Sequence, residues 1–300
     1  MKLDGIATFV SVVESGSLSE AARRLRVSRS VVSERLVELE RELGTSLLQR
    51  TTRKVTVTED GQAFLARAIR ITREVEEAAT DLAERRGSLS GRMRISAPVT
   101  FGRMHLGPAL YPFLARHPGI RLTLDLNDRR VDASADGFDA VIRHGSIPDS
   151  YLVAWRLATS RRVLVAAPSY LAQFGQPTSP AELEGHRGIF YMNRGGADWR
   201  FVQQGQTTVV QARPGLVLNN GDMMRDAAIA GLGITLLPMF IVGDALKSGV
   251  LIPIDIGIEA ETEFIYVAHA DGQRPTAMLR ALADWLRESF GNPPYWEQAQ

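Results

Sequence analysis

Ser30, Ser33, Glu34, Val37 and Arg41 recur at intervals of three and four residues, with Arg29 just ahead of them. On a helix they share one face, and that face suits reading a grooved, polar surface. Short polar groups near a helix start reach base edges, because little bulk separates backbone from groove. A carboxylate such as Glu34 repels phosphate, yet it accepts a hydrogen bond from cytosine N4. A second set, Arg50, Arg53 and Lys54, is purely cationic, and such side chains contact phosphates or enter a minor groove. The chemistry of the two sets together is contact with double-stranded DNA.

Those residues need elements to hold them. Ser17 and Glu20 fit a capping box that opens a helix over Leu18 to Leu25, with Ala21 and Ala22 small enough for a close neighbour. Arg26 and Val27 make a short turn. Ser28 suits the N-cap of a third helix running to about Glu42, and Gly44 stops it. Val32, Leu36, Leu39 and Leu43 form the apolar stripe that anchors this helix. Leu47-Leu48, a polar turn and the alternation from Lys54 to Val57 predict a small hairpin, or wing. Helix, turn, helix and wing is the order that sets a recognition helix into a major groove. Singly each piece is commonplace, since helix pairs abound and charge clusters usually mark solvated faces. In this order, within about 60 residues, they point to DNA binding.

The pattern resembles the LysR-type transcriptional regulators. The residues that carry the resemblance begin Phe9-Val10-x-Val12-Val13-Glu14-x-Gly16-Ser17, then Ala21-Ala22-x-x-Leu25, Ser28 and Val32-Ser33. They continue with Leu39-Glu40, Leu43-Gly44, Leu47-Leu48-x-Arg50 and Val57-Thr58-x-x-Gly61. The resemblance implies that Arg29, Ser30 and Ser33 face bases and that Arg53 sits on the wing. It extends over the whole chain, because the family also has a two-lobed effector domain of this length. Glu34 departs from the family's usual basic or amide residue and is expected to shape the target sequence.

Residues 59–87 carry a proline-free helical pattern in which Phe64, Ala68, Ile71, Val75, Ala78 and Leu82 keep a heptad rhythm. At 1.5 Å per residue, about 28 residues span roughly 42 Å, and so long a solvated helix needs a second surface over its seam. Packing on its own C-terminal part is one solution. Dimerisation is the preferred one, and the family implies homodimers or homotetramers on inverted-repeat sites.

Gly87-Ser88-Leu89-Ser90-Gly91 reads as a linker, with residues 88–91 as the hinge. Beyond it apolar strands alternate with helices, the mark of α/β architecture. Strands are expected from Arg92, Ile120, Phe138, Arg162, Gly188, Gly215, Ile234 and Glu263, with a closing helix over Ala277 to Ser289. The spacing suits two lobes of the periplasmic-binding-protein type, with crossings near Ser160-Arg161 and Ala268-His269. Residues 92–161 and 268–300 then form one lobe and 162–267 the other. Ligands in such sheets bind in a crevice outside the strand C-termini. That places Pro98, Val99, Thr100 and Phe101, Asn127, Arg143-His144-Gly145, Asn219, Asp222 and Pro238 at an effector site. A small organic acid held by Thr100 with Arg143 or His144 is the expected effector. The competing reading pairs Arg143 with a carboxylate such as Asp139.

Composition narrows the classes. With 35 basic and 34 acidic residues the net charge is +1, so any DNA contact is a local surface rather than a general basicity. Cysteine is absent, which excludes disulfides, thiolate metal sites and a cysteine nucleophile, and fits a reducing cytoplasm. Leu3, Ile6, Phe9, Val10 and Val13 sit at helical spacing and are interrupted by Asp4 and Glu14, against an export signal. No segment has the length to span a bilayer. The five histidines lack His-Glu-x-x-His spacing, no serine sits in a Gly-x-Ser-x-Gly elbow, and Arg194-Gly195-Gly196-Ala197 is no phosphate loop. Gly231-Leu232-Gly233 reads as a turn. The expectation is a cytoplasmic bacterial regulator without cofactor, metal or catalysis. Its partners are promoter DNA, further copies of itself and, for an activator, RNA polymerase. A solute-binding module without gene regulation is the alternative.

Overall fold

The computed structural model describes residues 1–50, 55–84, 89–129, 131, 133, 136–145, 152–197, 199–203, 205–270 and 275–298. At 50, 73, 76, 77, 79–84 and 195–197 it describes the backbone alone. Arg53, Lys54, Gly87 and Ser88 therefore lie outside the described residues, as do the side chains of Arg50 and Leu82. Two units divide at Gly91.

In the first unit, α1 (Leu3–Ser15), α2 (Leu18–Leu25) and α3 (Arg29–Leu43) precede a hairpin of β1 (Leu48–Arg50) and β2 (Val55–Val57), then α4 (Glu59–Glu84). Ser17 accepts from the Glu20 amide at 3.4 Å, but the Glu20 carboxylate pairs with Arg23 and Arg24. Charged donors one turn away displace the reciprocal half of the expected capping box. Arg26, at φ 55°, makes the turn; Ser28 caps α3 through the Val31 amide at 3.3 Å, and Gly44 closes it at φ 72°. Phe9, Val12, Ala21, Val32 and Leu36 are fully buried where the three helices meet. Burying each large side chain contributes about 1.5–3 kcal/mol before entropy.

The wing is joined to this core by named bonds. Glu40 of α3 accepts from the amides of Leu47 (2.8 Å) and Leu48 (3.1 Å). Thr58 donates to the Ser46 carbonyl (2.7 Å) and accepts from the Gly61 amide (2.9 Å), capping α4. A side chain at Gly61 would collide with the Leu47 carbonyl oxygen and lie 2.8 Å from Val57, so only glycine lets α4 start here.

The expected pairing seam of α4 divides in two. Ala68 is fully buried, and Phe64 and Ile71 pack on the same core, with the Phe64 ring 5.8 Å from Phe9. Val75 and Ala78 are exposed. The first part of the seam covers the helix's own unit, so Ala68 has no surface left for a partner.

The second unit contains two five-stranded sheets. One runs β4 (Ile120–Leu126), β3 (Gly91–Ala97), β5 (Ala140–His144), β15 (Glu263–Ala270), β6 (Leu152–Ser160). The other runs β11 (Arg213–Leu218), β8 (Arg187–Tyr191), β12 (Ile234–Pro238), β7 (Arg162–Ala166), β13 (Ile252–Pro253). A small sheet of β9 (Arg200–Gln203), β10 (Gln206–Val209) and β14 (Glu259–Ala260) adjoins the second lobe. Parallel pairs β3–β5, β8–β11 and β8–β12 make each lobe α/β, and β15 and β7 run antiparallel within their sheets.

The chain first crosses at Arg161, between β6 and β7. The second crossing falls at Glu261-Thr262, ahead of the expected Ala268-His269, because β15 pairs along its length with β6 and belongs to the first lobe. Sequence patterning registers a strand but not its partner, which explains the shift.

A short helix α5 (Val99–Phe101) passes into a π-helical turn (Gly102–Leu106) and then α6 (Gly107–Arg116). The Gly107 amide bonds back to the Gly102 carbonyl, and Pro108, in the first turn of α6, has no N–H to donate. Phe101 is fully buried against Phe240 (5.3 Å), Phe290 (5.7 Å) and Trp296 (6.0 Å), which fixes the preceding Thr100. Gly231 and Gly233 form the turn ahead of β12, as the sequence suggested.

Candidate functional site

In the first unit α3 has two clearly different faces. Val32, Leu36 and Leu39 are buried, while Arg29, Ser30, Glu34 and Val37 are exposed and Ser33 is half-buried. On the side towards α1, charges are paired: Arg35 with Asp4 at 2.7 Å and Lys2 with Glu38 at 2.8 Å. Arg29 and Glu34 have no ion pair among the described residues. The Ser28 and Ser30 hydroxyls meet at 2.7 Å, which orients Ser30 at the helix start. Val37, about half exposed, offers an apolar contact beside these polar groups. One cation, hydroxyls, one carboxylate and one methyl pair are thus presented together, the mixture that reads base edges. The backbone of Arg50 pairs with Val55 at the start of the wing.

In the second unit a cavity of about 500 Å³ opens between the two sheets. Pro98, Thr100, Phe101, Asn127, Arg143, His144, Gly145 and Pro238 line it, as the strand-end argument expects. Three expected residues stand aside. The Val99 amide donates to Asp128 at 3.0 Å, Asn219 is exposed at the end of β11, and Asp222 turns towards the first lobe. There Asp222, on α7 (Gly221–Ile229), accepts from Thr100 at 3.2 Å and from Arg103 at 2.7 Å. The Thr100 hydroxyl, expected to hold an acid, donates in this structure to the protein's own carboxylate.

Sequence reasoning missed a buried charged group in the cavity wall. Arg194 grips Glu263 through both guanidinium nitrogens, one of them at 2.7 Å. His144 Nε2 lies 2.9 Å from the Ser160 hydroxyl and 3.2 Å from Glu263. Buried Arg162 donates to the Leu236 carbonyl at 2.8 Å. Burial is the largest influence on His144 and pushes its imidazole down to about 4, against the attraction of Glu263. Burial opposes the charge of Glu263, but His144, Arg194 and Arg162 outweigh it and hold the carboxyl down to about 2. At neutral pH the histidine is uncharged and the glutamate ionised. Arg162 and Glu263 sit beside the two lobe crossings, a signal the sequence did contain. Arg194 came into view only as part of a rejected phosphate loop.

Arg143 donates to the Val131 carbonyl. Asp139, its expected alternative partner, accepts from the Arg94 amide at 2.6 Å. Five arginines (Arg129, Arg143, Arg162, Arg194, Arg200) line the cavity against three carboxylates (Asp128, Glu261, Glu263), so its walls are net cationic. No cluster suited to a metal ion occurs among the described residues, and none of their helices is long and apolar enough to cross a membrane.

A reading-head helix with a wing, followed by a two-lobed cavity, defines a DNA-binding regulator with an effector domain. Residues 3–62 match the bacterial regulatory helix-turn-helix protein family of lysR type, and residues 86–291 match the LysR substrate binding domain. The chain belongs to the LysR-type transcriptional regulators. It is 36% identical over 254 residues to an uncharacterised HTH-type transcriptional regulator of Haemophilus influenzae, covering 84% of this chain and 88% of that one. An HTH-type transcriptional repressor of Pseudomonas aeruginosa is 31% identical, covering 98% and 93%. Among solved structures, the LysR-type regulator CrgA of Neisseria meningitidis has a TM-score of 0.61 at 31% identity, covering 97% and 100%. The full-length virulence activator AphB of Vibrio cholerae has a TM-score of 0.59 at 28% identity, covering 95% and 98%. The chain is thus a regulator and not an enzyme, and nothing in these likenesses favours a solute-binding module separate from gene regulation.

Proposed function

We propose that this chain binds inverted-repeat promoter sites in the cytoplasm as a homodimer or homotetramer, and that a small organic acid in the inter-lobe cavity controls it. The observation that carries the acid is the excess of arginine over carboxylate in the cavity wall. The exposed face of Arg29, Ser30, Ser33, Glu34 and Val37 supplies base readout, and Arg50, Arg53 and Lys54 supply phosphate contact. Exposed Val75 and Ala78 support pairing of α4 with a second copy. The Vibrio cholerae relative is named an activator and the Pseudomonas one a repressor. As an activator this chain would take RNA polymerase as a further partner.

Fluorescence anisotropy on selected DNA sites tests the first part. Arg29→Ala should flatten preference at one base position, whereas Arg53→Ala should weaken all sites alike and reduce the salt slope by about 1. Glu34→Gln should change the preferred base; a uniform change across sites rejects its reading role. Calorimetry with a panel of small carboxylates tests the second part. Binding that survives Arg143→Ala undiminished removes that arginine from the site.

A further inference from the structure

His144 is held by one edge and open at the other. Its Nε2 faces the Glu263 carboxylate at 3.2 Å and the Ser160 hydroxyl at 2.9 Å. A lone pair on Nε2 would repel the carboxylate, so the ring proton sits on Nε2. A neutral imidazole has one proton, and Nδ1 is then an acceptor. Nδ1 makes no hydrogen bond among the described residues, the side chain is 14% exposed, and the ring lines the cavity. The cavity therefore presents a hydrogen-bond acceptor among arginines, which are donors only.

That combination selects a ligand. Arginines take a carboxylate, and the Nδ1 acceptor needs a donor on the same molecule. An ammonium group is a poor donor here, because the walls are net cationic and Glu263 is already gripped by Arg194. A hydroxyl donates without adding charge. We propose that the effector is a hydroxy acid whose hydroxyl donates to His144 Nδ1 while its carboxylate meets the cavity arginines. This rests on the organic-acid reading above and specifies the class within it.

The test is calorimetry of the full-length protein with matched pairs: lactate and propionate, malate and succinate, mandelate and phenylacetate, salicylate and benzoate. In any pair that binds, the hydroxy member should bind roughly 10- to 100-fold more tightly, since a site built around a polar contact rejects the analogue lacking it. His144→Leu should bring that ratio close to one by weakening the hydroxy member alone. Equal binding within every pair overturns the hydroxyl assignment and leaves the organic-acid reading standing. Absence of binding by all eight acids, with amines or neutral sugars binding instead, overturns both. Nitrogen-15 NMR of the unmodified protein gives an independent readout without any substitution. Resonances of the Nε2–H tautomer at His144 are expected, and a protonated Nδ1 would refute the proposal regardless of ligand.

Discussion

Glu40 and His144 show what single side chains contribute in the two units. The Glu40 carboxylate accepts from two successive amides, Leu47 and Leu48, both residues being buried. Its removal leaves amide donors without an acceptor, so Glu40→Ala should destabilise the first unit by about 2–4 kcal/mol, with Glu40→Gln retaining part of that. Urea denaturation would show it, and an unchanged midpoint would mean water replaces the carboxylate. His144 is a base whose folded value, about 4, lies below its ordinary 6.5. The unfolded chain takes up a proton first as pH falls, so this contribution is complete above pH 6.5 and disappears by about pH 4. The wild type should lose on the order of 2–3 kcal/mol across that window relative to His144→Gln. Parallel stability curves for the two proteins would contradict the burial argument.

At the scale of elements, the wing and α4 depend on one close approach. Gly61 lies against Leu47 and Val57, so Gly61→Ala must push the first turn of α4 off the hairpin. A cost of about 1–3 kcal/mol is expected, together with weakened DNA binding, because the wing loses its support. Thermal unfolding and anisotropy measured on the same variant check both halves. A variant stable to within experimental error would show that the hairpin can move away freely. Helices α2 and α3 were legible because their capping residues, Ser17 and Ser28, and their apolar periods agree locally. The π turn after Phe101 was not, since helical spacing of side chains does not separate one widened turn from regular helix.

For the whole molecule, the proposed assembly uses the part of α4 that its own unit leaves uncovered. Val75→Asp should raise the dissociation constant of a dimer at least tenfold, with the first unit as stable as before, because Val75 is exposed there. Sedimentation velocity across concentration tests this, and an unchanged association would place the interface elsewhere. Phe64→Asp should instead unfold the first unit, since that ring packs on Phe9. The heptad pattern alone does not separate these outcomes, because a core-facing stripe and a pairing seam share one spacing.

Local order was written in the chain itself: two capped helices and a wing, a long heptad helix, and strands alternating with helices into two lobes. Family membership followed from the same short-range residues, because caps, glycines and apolar positions in that order suit few folds besides a winged helix-turn-helix. The tertiary structure alone decided which distant residues meet. It brought Arg194 to Glu263 across 69 positions and Thr100 to Asp222 across 122, and it assigned β15 to the first lobe. Periodicity reports the direction of a side chain relative to its own element. The partner it finds depends on sheet order and lobe packing, which are set by contacts between segments far apart in the chain.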